Sequence, residues 1–235
     1  MPDKVNNWYE KLPSNLKREN KTDKNFKKHY ILPNSMICCI GGTGAGKTNA
    51  LLEFLSRKNE AFYEIIYFNP VSSDEPLLNL LKQKMPDMEF YNEINDLPEL
   101  STYGEKDKTE KLIIFDDIIN MPKKEFKKIN EYLTGGRKMG FTCFVMGQVY
   151  TQIPKTIVRN CNYFILFRLN DNVSINNIIR NHNTENVDKD KFRDMYVSST
   201  DVPRDFFMID LKGGPETRLR HNFLNFYDPK LYLRK

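Results

Sequence analysis

The stretch MICCIGGTGAGKTNALLEFL, residues 36–55, constrains the fold of this chain more than any other. Five uncharged residues run into a glycine-rich turn, and an apolar, helix-like pattern follows. The turn has the spacing G-x-x-x-x-G-K-[ST], with Gly41, Gly46, Lys47 and Thr48 at the fixed places. Such a loop brings backbone N–H groups close to phosphate oxygens, where side chains would obstruct. The expected nucleotide-binding residues are Gly41, Gly42, Thr43, Gly44, Ala45, Gly46, Lys47, Thr48 and Asn49. The helix starting near Lys47 directs its positive end at the phosphates. Lys47 supplies a mobile charge to the β and γ phosphates, and Thr48 offers its hydroxyl to Mg²⁺. ATP and Mg²⁺ are therefore the expected cofactors.

A second motif, KLIIFDD at residues 111–117, is an apolar run that ends in two carboxylates. Asp116 is placed to bind Mg²⁺, directly or through water. Asp117 either polarises the water that attacks the γ-phosphate or caps the turn after the strand. Gln148 ends the run FTCFVMG and has an amide that both donates and accepts, as a γ-phosphate sensor needs. It is equally readable as a loop residue with no such duty. Arg137, just before that run, and Arg159 are candidates for an arginine finger offered to a neighbouring subunit, with Arg137 leading. An isolated arginine more often serves a surface or a salt bridge.

From Met36 onward, short apolar runs alternate with helical patterns, which predicts an α/β fold with a mostly parallel sheet and flanking helices. Strands are expected at 36–40, 64–69, 112–116, 141–147 and 163–169. Helices are expected at 47–57, 123–133 and 174–181. Two further strands, 205–211 and 219–226, flank the turn-former KGGPET and read as an antiparallel hairpin on one edge. The 235 residues suit an N-terminal arm (1–30) and one ATPase domain (31–235). That domain divides into a core (36–183) and a C-terminal helix and hairpin extension (184–235).

Charge is unevenly placed although the net value is only +5. Residues 71–117 hold twelve acids against five lysines, whereas residues 135–170 carry Arg137, Lys138, Lys155, Arg159 and Arg168 with no acid. A basic segment beside a nucleotide site can serve bound phosphates, a neighbouring subunit or nucleic acid, or simply form a solvated face. The arm carries eight Lys/Arg against four acids, with Trp8 expected to anchor it on the core. Lys123, Lys124, Lys127 and Lys128 are expected on one helical face, solvated or touching DNA phosphates. Cys38, Cys39 and Cys143 read as small core residues of a reducing compartment. No secretory h-region and no spanning run is visible, so an intracellular protein is expected.

GGTGAGKT, LIIFDD and GRKMGFTCFVMGQVYTQIPKTIVRNCNYFILFRL, with the hydrophobic tail, together resemble the poxvirus-type genome-packaging ATPases of large DNA viruses and virophages, within the FtsK–HerA superfamily. The resemblance runs from about residue 36 to 226. It implies a RecA-like ASCE P-loop fold, a homo-oligomeric ring (pentamer or hexamer) and ATP-driven translocation of double-stranded DNA into a capsid. A capsid protein is a further implied partner, and the virion or the cytoplasmic assembly site of the host cell the implied location. Lys47 and Thr48 then belong to Walker A, Asp116 and Asp117 to Walker B, Gln148 to the sensor and Arg137 to the finger. Many superfamily members carry Glu where this chain has the shorter Asp117. The alternatives are a nucleotide- or nucleoside-type P-loop kinase and a low-turnover, nucleotide-dependent interaction protein. No arginine-rich lid, as such a kinase carries, is apparent.

Overall fold

In a computed structural model of the chain, residues 7, 10–13, 23–58, 61–71, 75–104, 109–122, 124–182 and 187–233 are described. One sheet of nine strands runs through them. Its order is β3 (Glu89–Tyr91), β2 (Glu64–Phe68), β4 (Lys111–Asp116), β5 (Phe141–Gly147), β1 (Met36–Ile40), β6 (Tyr163–Leu166), β7 (Phe207–Asp210), β8 (Leu219–His221) and β9 (Asn225–Phe226). From β3 to β6 the pairs are parallel, and from β6 onward they are antiparallel. This is the expected mostly parallel sheet with an antiparallel addition.

A central parallel strand is buried on both faces, so it reads as a continuous apolar run rather than an alternation. MICCI shows this: all five residues are buried. Ile37 and Cys39 face α1 (Lys47–Lys58) and α2 (Pro76–Lys84), packing with Leu51, Phe54 and Leu81. Met36, Cys38 and Ile40 face the opposite core, which includes Ile129 and Leu133 of α3 (Phe126–Gly135) and Ile157 of α4 (Lys155–Asn160). Ile178 of α5 (Asn172–His182) and Phe192 of α6 (Lys189–Ser199) complete that side. All four cysteines are buried and free, so the core role expected for Cys38, Cys39 and Cys143 holds.

Three expectations need correction. The tail run 219–226 is a tight hairpin, β8 and β9, because Asn222 takes a left-handed conformation (φ 56°) that ends the extended chain. The short helix α7 (Pro215–Arg218) sits between β7 and β8 where only a turn was expected. α3 begins at Phe126 rather than residue 123, since Pro122 opens a turn whose carbonyl accepts from the amides of Glu125 and Phe126. Lys124 thus lies in that turn, and Lys128 is tied to Glu99 at 2.8 Å, so the lysines do not share one free helical face. Lys123 and Trp8 lie outside the described residues.

Residues 23–30 pack on the domain. His29 is fully buried, with Nε2 3.1 Å from Asp23, and Lys58 of α1 joins Asp23 (3.0 Å) and Glu110 (2.6 Å). Arg220 of β8 is buried too; it pairs with Asp210 and donates to the carbonyls of His29 (3.1 Å) and Tyr30 (3.3 Å). The last helix, α8 (Pro229–Tyr232), is brought against α6 by the bridge between Val187 and Leu233.

Candidate active site

The phosphate loop connects β1 to α1 at the C-terminal end of the parallel strands. Gly46 has φ 113°, a backbone state that strains any residue with a side chain. At Gly41 the constraint is space, because a Cβ there would lie 2.8 Å from Cβ of Phe167. Of the loop and the first helical turn, Ala45 donates to Gly42 O (3.2 Å) and Ala50 to Gly46 O (2.9 Å). The amides of Gly44, Gly46, Lys47, Thr48 and Asn49 have no backbone acceptor among the described residues. Unpaired N–H groups at a helix start form an anion site, so the loop fits a bound polyphosphate. The Lys47 ammonium rests on the carbonyls of Gly41 (2.9 Å) and Gly42 (3.1 Å), inside the same cradle.

Asp116 ends β4, two strands from β1, with β5 between them. Its Oδ2 accepts from the Tyr67 hydroxyl (2.7 Å) and the Asn69 amide (3.2 Å). Burial raises its pKa, the Tyr67 hydrogen bond and the Lys47 charge oppose that, and Asp117 and Glu75 add to it. A divalent cation would relieve this concentration of negative charge, so the donor set of Thr48 and Asp116 fits Mg²⁺. Thr48 is buried and its hydroxyl donates to the Glu75 carboxylate at 3.3 Å.

Asp117 sits in the left-handed region (φ 52°, ψ 35°) and precedes a short 3-10 turn without making a side-chain cap bond. Its Oδ1 lies 3.5 Å from Nε2 of Gln148, and Oε1 of Gln148 lies 3.5 Å from Oγ1 of Thr43. These long contacts string Thr43, Gln148 and Asp117 across the tips of β1, β5 and β4. Arg137 and Arg159 stand elsewhere. Arg137 is exposed in the turn before β5, and Arg159 ends α4 before β6, so both lie at the N-terminal edge of the sheet. The seven residues of β5 separate Arg137 from Gln148, roughly 20 Å of strand. Neither arginine is brought to the phosphate loop of its own chain.

Sequence reasoning missed four residues of this corner. Tyr67 and Asn69 were legible in principle: they are polar residues spaced two apart at the end of EIIYFN, hence on one side of the strand. Glu75 follows a stretch with no pattern. Arg204 gave no signal at all, yet its Cα lies 3.3 Å from where a Cβ on Gly46 would stand. Its own φ is 74°, and Asp205 beside it is held by His221 (2.8 Å) and Asn222 (3.0 Å).

The family described as Poxvirus A32 protein matches residues 23–209. The chain belongs to that family. No curated protein matches its sequence. Among solved structures, B204, described as the DNA-packaging ATPase from Sulfolobus turreted icosahedral virus, superposes with a TM-score of 0.56 at 14% identity, over 76% of this chain and 93% of that one. B204 from Sulfolobus turreted icosahedral virus 2, in complex with AMP, gives 0.57 at 13% identity over 80% and 96%. ATPases 2 and 3 of EssC from Geobacillus thermodenitrificans give 0.53 at 14%, over 83% of this chain and 40% of that. The A32-family chain therefore has the P-loop ATPase fold, with β5 lying between β1 and the strand β4 that ends in Asp116. Among the described residues no helix is long and apolar enough to cross a membrane.

Proposed function

We propose that this A32-family protein is an ATP-hydrolysing motor that translocates double-stranded DNA and packages a viral genome into its capsid. The observation that carries the hydrolytic reading is the chain Thr43–Gln148–Asp117, which spans the phosphate loop, the inserted strand and the acid-bearing strand. Family membership and the likeness to structures described as genome-packaging NTPases support the motor reading.

Loop amides and Lys47 hold the triphosphate and balance the charge that develops on the γ-phosphate. Thr48 and Asp116 would hold Mg²⁺, which neutralises the β and γ oxygens when bound. Asp117 takes the proton of the attacking water, and Gln148 fixes where that water stands. Arg204 flanks the loop from the β7 side, while Arg137, or Arg159, reaches the site of a neighbouring subunit in a pentameric or hexameric ring. Docking to a capsid protein places the motor at the viral assembly site, in the host cytoplasm or on the virion. The arm 1–30, whose residues 23–30 pack on the domain, and the domain 31–235 form its two parts.

The test is turnover with and without duplex DNA, on protein sized at the same concentration. We expect stimulation by duplex and loss of nucleotide binding in Lys47→Ala. Asp117→Asn should cut kcat by about 10²–10⁴ while nucleotide KM stays near wild type. Phosphate transfer to a nucleoside acceptor, or activity indifferent to DNA in a monomer, would point to a kinase or a switch instead.

A further inference from the structure

The acid-free segment recognised in the sequence extends further than the nucleotide site uses. From Gly135 to His182 the chain holds one acid, Asp171, against Arg137, Lys138, Lys155, Arg159, Arg168 and Arg180. Folding concentrates half of these cations. A groove of about 770 Å³ is lined by Lys155, Arg159 and Arg180, with the neutral donors Thr151, Asn177 and Asn181, and by no carboxylate among the described residues.

The geometry follows from helical spacing. Lys155 and Arg159 are four apart on α4, while Asn177, Arg180 and Asn181 share one face of α5. All three cations are exposed and make no ion pair with any described residue. The floor is held by Tyr150, whose hydroxyl meets Nε2 of His182 at 2.7 Å and accepts from Asn181 at 3.2 Å. Burial keeps that histidine neutral, with its pKa lowered to about 4, so the fixed charge belongs to the other three side chains. The groove begins two residues beyond Gln148: the chain passes from the sensor through the turn Tyr150–Gln152 directly into α4.

We propose that this α4–α5 groove is the surface that grips the phosphate backbone of duplex DNA, with Lys155 and Arg180 as the phosphate contacts. The proposal rests on the motor reading and adds a location to it. Cations with neutral amide donors and no base-reading constellation give sequence-independent backbone binding, as a translocating motor requires. The near end of the groove, at Tyr150, follows Gln148 by two residues, so the chain that carries Gln148 continues into the groove wall.

The experiment measures binding of a labelled mixed-sequence duplex to the full chain across a salt series, alongside ATPase rates. Lys155→Ala/Arg180→Ala should weaken binding about tenfold or more and flatten the slope of log K against log salt by about 1.8, at about 0.9 per lost phosphate contact. Its basal ATPase rate and thermal midpoint should match wild type, the DNA-stimulated increment should vanish, and Lys155→Arg/Arg180→Lys should restore binding. If wild type binds duplex and the alanine variant binds it with equal affinity and slope, the groove assignment fails while the motor reading stands. If wild type itself binds no duplex, the motor reading fails and this proposal goes with it. Preference for polyglutamate over duplex would mark an acidic protein as the partner and overturn the DNA assignment.

Discussion

Asp116 owes its position to residues outside its own motif. Tyr67 at the end of the neighbouring strand, and Asn69 just beyond it, both donate to its Oδ2. Groups that orient a metal-binding carboxylate affect metal affinity by about 10–100-fold. Tyr67→Phe should therefore raise the Mg²⁺ concentration for half-maximal ATPase activity by at least about tenfold, with little change at saturating Mg²⁺. Magnesium titration of the variant checks this, and an unchanged midpoint would remove Tyr67 from the site. At this scale the sequence was informative wherever chemistry is local. Gly41, Gly46, Lys47 and Thr48 occupy one turn, so their spacing alone placed them. Glu75 and Arg204 reach the same corner from distant segments, and nothing local marks them.

Elements were legible according to their length and burial. β1 and β5 match their expected bounds because both are fully buried apolar runs with a clear stop at glycine. β3 has three residues and α2 nine, too few to show a period against charged surroundings. α6 lies in the extension 184–235, where a helix was expected without bounds, and its start is chemically explicit: the Asp188 carboxylate accepts from the amides of Asp190 (3.0 Å) and Lys191 (3.1 Å). Replacing such a cap by alanine costs about 1 kcal/mol. Asp188→Ala should lower unfolding stability by about that amount in urea titration and leave nucleotide affinity unaltered, since Asp188 caps the start of α6 whereas the segment after the helix's end carries Arg204 to the phosphate loop. α3 shows the opposite lesson. Its lysine-rich start looked helical by composition, but a proline carbonyl claimed the first amides and shifted the helix three residues on.

At the scale of the molecule, polar burial ties distant segments together. Arg220, Asp210 and the carbonyls of His29 and Tyr30 join the start of the described domain to its last strands. His29 and His182 are buried, and burial lowers both pKa values to about 4. Unfolded histidine titrates near 6.5, so between pH 6.5 and 4 the unfolded chain binds more protons than the folded one. Stability is therefore fully present above about pH 6.5 and falls as pH drops toward 4, by up to on the order of 3 kcal/mol for each histidine. Thermal midpoints measured across that window should fall steeply, and His182→Gln should flatten the fall by about half. A midpoint constant from pH 7 to 4.5 would contradict the burial of these rings.

By itself the amino-acid order determined the class of fold, the glycine-rich loop between β1 and α1, the placing of Asp116 at the end of β4 and the core role of the cysteines. These depend on residues adjacent in the chain, where periodicity and turn chemistry act directly. Only the tertiary structure decided that β5 separates the two acid- and phosphate-bearing strands, that Gln148 spans Thr43 and Asp117, and that Arg137 stands at the far edge of the sheet. It also decided that three cations from α4 and α5 share one groove. Each of these is a distance between residues far apart in sequence, set by strand order and packing.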